Sequence, residues 1–105
     1  MSKRNKVIVS RRASQMLIES AAFLAQVSVS AAERLVDEFE KTISSLETMP
    51  NRCPVFNADI IPKNCYRYII FEKRYCALFQ IKDNNVYVDF VIDCRKDYGW
   101  LFPRL

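Results

Sequence analysis

Apolar positions along this chain change period twice. Over Lys6–Ser10, Val7 and Val9 alternate with other residues, the two-residue repeat of a short strand with both valines on one face. The repeat then lengthens. Ala13, Leu17, Ala21 and Leu24 recur at helical spacing, and Met16 widens the stripe. Ser10 stands just ahead, where a serine oxygen accepts from the unpaired amides of a first turn. The spacing predicts a helix that stops around Val27. Ser30-Ala31-Ala32-Glu33 reads as a capping box opening a second helix, whose inward face is Leu35, Val36, Phe39, Ile43 and Leu46. On it, Arg34–Glu38 and Asp37–Lys41 have i,i+4 spacing, worth about 0.2–0.5 kcal/mol per exposed pair. Pro50 ends the helix, and so short a break between the two implies an antiparallel hairpin.

After an irregular stretch at 50–64, punctuated by Pro50, Pro54 and Pro62, the period returns to two. Tyr66–Phe71, Tyr75–Ile81 and Val86–Ile92 are apolar β-type runs. They are separated by Glu72-Lys73-Arg74 and Lys82-Asp83-Asn84-Asn85, both suited to hairpin turns. In the last run, strict alternation puts Val86, Val88, Phe90 and Ile92 on one face, with Tyr87, Asp89, Val91 and Asp93 on the other. The order is βααβββ: an α+β fold in which a helical hairpin packs on a mainly antiparallel sheet. The core is expected to contain Leu17, Leu24, Phe39, Ile43, Leu78, Val88 and Phe90.

Composition narrows the function. A chain of 105 residues, half of them hydrophobic, reads as a single domain over residues 1–105 with a core of its own. No run approaches the roughly 18 apolar residues of a membrane span, and Val7-Ile8-Val9 is too short for a signal-peptide core. A cytoplasmic protein without a membrane partner is expected. A single glycine excludes glycine-rich phosphate loops. Cys53, Cys65, Cys76 and Cys94 form no Cys-x-x-Cys pair and there is no histidine, so buried reduced thiols are expected and neither metal nor cofactor.

The net charge of +4 is uneven. Residues 1–12 carry five bases and no acid, whereas residues 30–49 carry five acids and two bases. The strand region is basic again through Arg67, Lys73, Arg74, Arg95 and Lys96. With little loop length to build a cleft, recognition is expected where the last strand runs into Asp93-Cys94-Arg95-Lys96-Asp97-Tyr98-Gly99-Trp100.

Taken together, Cys65-Tyr66-Arg67-Tyr68, Tyr75–Ile81 and Val86–Ile92 with its Asp93–Tyr98 ending resemble the RelE/ParE superfamily of bacterial toxins. The resemblance covers nearly the whole chain. It implies the toxin of a type II toxin–antitoxin system, a plasmid-stabilisation or growth-inhibition device held inactive by a cognate acidic antitoxin. Superfamily members act in two ways. ParE-like members poison DNA gyrase, and RelE-like members are metal-independent endoribonucleases that cut mRNA on the ribosome.

For the nuclease, attack by a 2′-hydroxyl needs converging cations to stabilise the phosphorane and a group to move protons. The resemblance places the first cation at Arg67, a later one at Arg95 or Lys96, and the tyrosine at Tyr98. Those four are the catalytic candidates if the chain is an enzyme. A second lysine position falls on Ile69 and a central-strand arginine on Cys76, so two cations are missing. That loss tilts the reading towards a ParE-like gyrase inhibitor, with the ribonuclease as the alternative. The antitoxin is expected to cross the sheet and bind Arg67, Arg95, Lys96 and Trp100.

Overall fold

Ser10 is the hinge of the first layer change. In a computed structural model that describes residues 4–56 and 65–94, strand β1 (Lys6–Val9) ends at this serine. Its side chain, held in extended backbone, accepts from the Ala13 amide at 2.9 Å and starts helix α1 (Arg11–Ala25). The amide of Ser10 donates to the Val88 carbonyl at 2.9 Å, so the cap also ties the helix to the sheet.

Helix α2 (Val29–Ser45) starts earlier than the capping box implied. Ser28, not Ser30, is the cap, with φ −155° and its oxygen 3.2 Å from the Ala31 amide. Both serines are cap-type residues, though only Ser30 has the Glu33 of a full box; capping from Ser28 brings Val29 and Ser30 into the helix, and the more hydrogen-bonded solution wins. Replacing Ser28 by alanine is therefore expected to cost about 1 kcal/mol in a denaturant melt. The same change at Ser30 should stay within about 0.5 kcal/mol, and the reverse order would restore the box.

The exposed pairs also rearrange. Arg34 leaves Glu38 and reaches Glu72 at 3.0 Å, while Lys41 pairs with Glu38 at 3.8 Å rather than with Asp37. A turn packed beside α2 offers Arg34 a carboxylate that helix geometry alone cannot reveal. After α2, Met49 adopts left-handed backbone, φ 50° and ψ 51°, ahead of a 3₁₀ turn at Pro50–Arg52.

Strands β2 (Arg67–Phe71), β3 (Tyr75–Lys82) and β4 (Asn85–Asp93) follow the predicted runs. The sheet order is β1-β4-β3-β2, with β1 parallel to β4 and the other two pairings antiparallel. The three-residue β2–β3 turn, Glu72-Lys73-Arg74, carries positive φ at Glu72 (48°) and Lys73 (68°), the left-handed backbone that tight hairpin loops use. Phe71 and Tyr75 flank this turn, and Phe39 of α2 meets Phe71 edge to face at 5.5 Å.

Strict alternation fails in β4. Leu78 pairs with Phe90 and Phe79 with Val88, so Asp89 is an extra residue opposite the Leu78–Phe79 junction. This β-bulge reverses the phase of the strand. Val86 and Val88 before it, and Val91 after it, face the helices with Leu17, Leu35, Phe39, Ala77 and Phe79. Phe90 and Ile92 face the other way with Cys76 and Leu78. The expected core residues are all buried or packed against buried ones, but Leu78 and Phe90 belong to the second cluster, on the far face of the sheet. Because β3 has apolar cover on both faces, Tyr75–Phe79 is buried without a break.

Two cysteine expectations are corrected. Cys53 and Cys76 are buried, but Cys65 and Cys94 are exposed, one ahead of β2 and the other just past β4, beyond the ends of the strands. Among the described residues no helix is long and apolar enough to cross a membrane, and no group of three or more acidic or cysteine side chains could hold a metal.

Candidate functional site

The face of the sheet turned away from the helices holds the most elaborate side-chain arrangement. Alternation along β2, β3 and β4 brings Tyr68, Cys76, Leu78, Phe90 and Ile92 together there, with Tyr66 just ahead of β2. Tyr66 meets the Phe90 ring edge on at 5.8 Å, and Phe56 meets Tyr68 in the same way at 5.8 Å. Arg12, from the first turn of α1, lays its guanidinium over Phe90 at 4.0 Å from the centroid. Its Nε also donates to the Asp89 carbonyl at 3.3 Å.

The bulge gives this face an acidic feature. An extra residue in the ladder lets Asp89 and Phe90, neighbours in sequence, turn to the same side. The Asp89 carboxylate then accepts at one oxygen, Oδ2, from the Tyr66 hydroxyl and from the Gln80 amide, each at 3.1 Å. Burial, then the Asp89 charge, pushes the Tyr66 phenol above its ordinary range. The phenol is therefore neutral at physiological pH and acts here as a donor rather than a base. Composition and motif spacing missed this trio because its members come from three separate segments. The signal available was an acidic residue inside an otherwise apolar β run.

Arg67 lies on the opposite side. It shares parity with Ile69 and Phe71, which pack toward the helices, and its guanidinium donates to the Cys53 carbonyl and, at 3.3 Å, to that of Asn51. Arg67 and Ile69 thus do not share a face with Cys76, and the positions matched to a convergent cation set diverge across the sheet. At the start of β2, a pair spaced two apart that looks away from the helices is Tyr66, just ahead of the strand, and Tyr68 within it. Cys76 is 2% exposed, and burial drives its thiol far above the usual range, so in the resting fold it is a protonated core side chain and not a catalytic nucleophile toward a bound substrate. Arg95, Lys96, Tyr98 and Trp100 lie outside the described residues.

An open groove of ≈ 710 Å³ also lies between the tip of the helical hairpin and the β2–β3 turn. Leu24 and Ala31 line it together with the charged side chains of Arg34, Glu72, Lys73 and Arg74. Arg34 and Glu72, which both line it, are ion-paired at 3.0 Å, and Arg74 stacks over Tyr75 at 5.4 Å. The sequence pointed to the basic turn residues but not to their meeting with α2.

Against known proteins, the sequence model of the family described as ParE toxin of type II toxin-antitoxin system, parDE, matches residues 7–98. The matched span runs from β1 past the end of β4. Among solved structures, the chain is similar to one described as the chromosomal ParDE TA system from P. aeruginosa. The TM-score is 0.69 at 14% identity, covering 86% of this chain and 96% of that one, which is a likeness of fold. No curated protein sequence matches.

Proposed function

Because the chain belongs to the ParE toxin family of type II toxin–antitoxin systems, we propose that it stops growth in the cytoplasm by inhibiting DNA gyrase, and that a cognate acidic antitoxin restrains it. Its place as a ParE-like type II toxin follows from the family; the target and the chemistry of the partner are the proposal.

The observation that supports the target is the makeup of the face turned away from the helices. Metal-independent RNA cleavage requires several cations converging on one phosphate, each worth roughly a hundred- to thousandfold. The central positions of β2, β3 and β4 on that face are aromatic, aliphatic or thiol side chains, and Asp89 would repel a phosphate. Arg12 reaches the face from α1, but its guanidinium already covers Phe90. Such a surface suits a protein target better than a nucleic-acid backbone.

For the antitoxin, Arg95 and Lys96 are the charge anchors and Trp100 the apolar one, with an amphipathic acidic segment as occupant. Arg67, expected beside them, contributes from within the fold by holding the chain after α2.

Inducing the chain alone tests the target, with growth, supercoiling of a reporter plasmid and transcript ends followed in parallel. Growth arrest with loss of supercoiling and intact transcripts is the expected result, relieved by co-expressing the antitoxin. Ribosome-dependent transcript cleavage that disappears in Arg95→Ala, Lys96→Ala or Tyr98→Phe would overturn it. Normal growth with folded protein would do so as well.

A further inference from the structure

Among the described residues, the fold joins two thiols that lie far apart in sequence. Cys76 sits in β3 opposite Ile92 of β4. Beyond Asp93 the Cys94 amide donates to the Arg74 carbonyl at 2.7 Å, which extends the antiparallel ladder by one step. Cys94 is then two residues along from the partner of Cys76 and on the same face, which places the two thiols diagonally across adjacent strands, near enough to influence each other. One is buried at 2% exposure and the other is exposed, so a small reagent can reach the pair from one side.

We propose that Cys76 and Cys94 form a reversible intramolecular disulfide when the chain meets a low-molecular-weight disulfide oxidant. The Cys94 thiolate attacks one sulfur of the oxidant, forming a mixed disulfide and expelling one thiolate. Deprotonated Cys76 then attacks the Cys94 sulfur, and the second oxidant thiolate leaves. Two protein thiols and one oxidant disulfide become one protein disulfide and two oxidant thiols. The sulfurs must close to about 2 Å. Cys94 can supply this movement because it lies just past the end of β4, where its bond to the Arg74 carbonyl is the terminal step of the ladder. Arg95 and Lys96 follow directly, so the crosslink ties the start of the basic segment to the central strand.

Several features agree with a conditional bond rather than a permanent one. Cys76 and Cys94 are both free cysteines in the structure. Burial raises both above the ordinary thiol range, so thiolate is scarce at neutral pH and exchange should accelerate as pH rises. Transient disulfides are also the kind found in reducing compartments.

The test incubates purified chain with oxidised glutathione at mildly alkaline pH, then alkylates and maps it without reductant. The expected product has lost two hydrogens, retains two alkylatable thiols of the original four, yields a peptide pair linking Cys76 to Cys94, and reverts with dithiothreitol. Its melting temperature should rise by about 10 °C. Cys65→Ser should still form the crosslink, whereas Cys94→Ser should fold normally and show neither crosslink nor shift. A glutathione adduct persisting on Cys94, a bond through Cys65, a crosslink between two chains, or four unreacted thiols would each overturn the proposal. None of these readouts depends on gyrase or on the antitoxin.

Discussion

Phe79→Ala is expected to lower the folding free energy by about 3–5 kcal/mol, enough to consume much of the 5–15 kcal/mol that typical domains possess. Phe79 is completely buried at the centre of β3, between Arg67 of β2 and Val88 of β4. It belongs to the cluster in which Leu35 and Phe39 of α2 and Leu17 of α1 meet the sheet. Truncation removes the ring's transfer energy and leaves a cavity beside the bulge, where the ladder is already interrupted. Urea denaturation followed by circular dichroism measures the loss. Ile70→Ala, on the edge strand and 54% exposed, serves as the control and should change stability by no more than about 0.5–1 kcal/mol. Equal losses at the two positions would mean that the layers are not packed as described. Loss of toxicity in Phe79→Ala would then reflect unfolding rather than a lost target contact.

The second large effect is expected at Arg67. Its Arg67→Ala variant should lose about 2 kcal/mol, because hydrogen bonds from a charged donor to carbonyls contribute roughly 1.5–3 kcal/mol when their loss strands the acceptors. The guanidinium joins the first residue of β2 to Asn51 and Cys53, and so fastens the chain after α2 to the edge of the sheet. An isolated bridge between Val55 and Arg67, with the Tyr68 amide donating to the Pro54 carbonyl at 3.1 Å, extends that seam through the backbone. Arg67→Lys should recover only part of the loss, since an ammonium lacks the planar fork that spans two carbonyls. Thermal melts of the three proteins give the ranking. Unchanged stability in Arg67→Ala, together with weakened antitoxin binding, would instead return this residue to the partner-binding surface.

The candidate site was legible only in part, for physical reasons that differ between residues. Ser10 was readable because a cap acts over three residues, and the structure keeps it. Ser28 and Ser30 are both cap-type residues and only Ser30 has a glutamate three residues on, yet the choice fell to the hydrogen bonds each would complete. Arg67 looked like a free cation because carbonyls, its actual partners, have no signature in side-chain chemistry. Asp89 looked like one more outward residue of an alternating strand. Its contacts with Tyr66 and Gln80 arise only after the extra residue turns it beside Phe90.

By itself the sequence determined the kind and order of the elements: a strand, two helices and three strands, with their turns and most inward positions. Those follow from period and capping, which depend on near neighbours along the chain and survive whatever packs against them. Tertiary structure alone decided that β1 lies parallel to β4, that a bulge at Asp89 divides the apolar residues between two faces, and that Arg34 answers Glu72 rather than Glu38. It also decided which side of the sheet Arg67 and Cys76 occupy. Each depends on what a distant segment offers at the point of contact: a ladder edge, a carbonyl, a carboxylate. A one-residue offset in pairing exchanges the faces of a strand while leaving its composition unchanged.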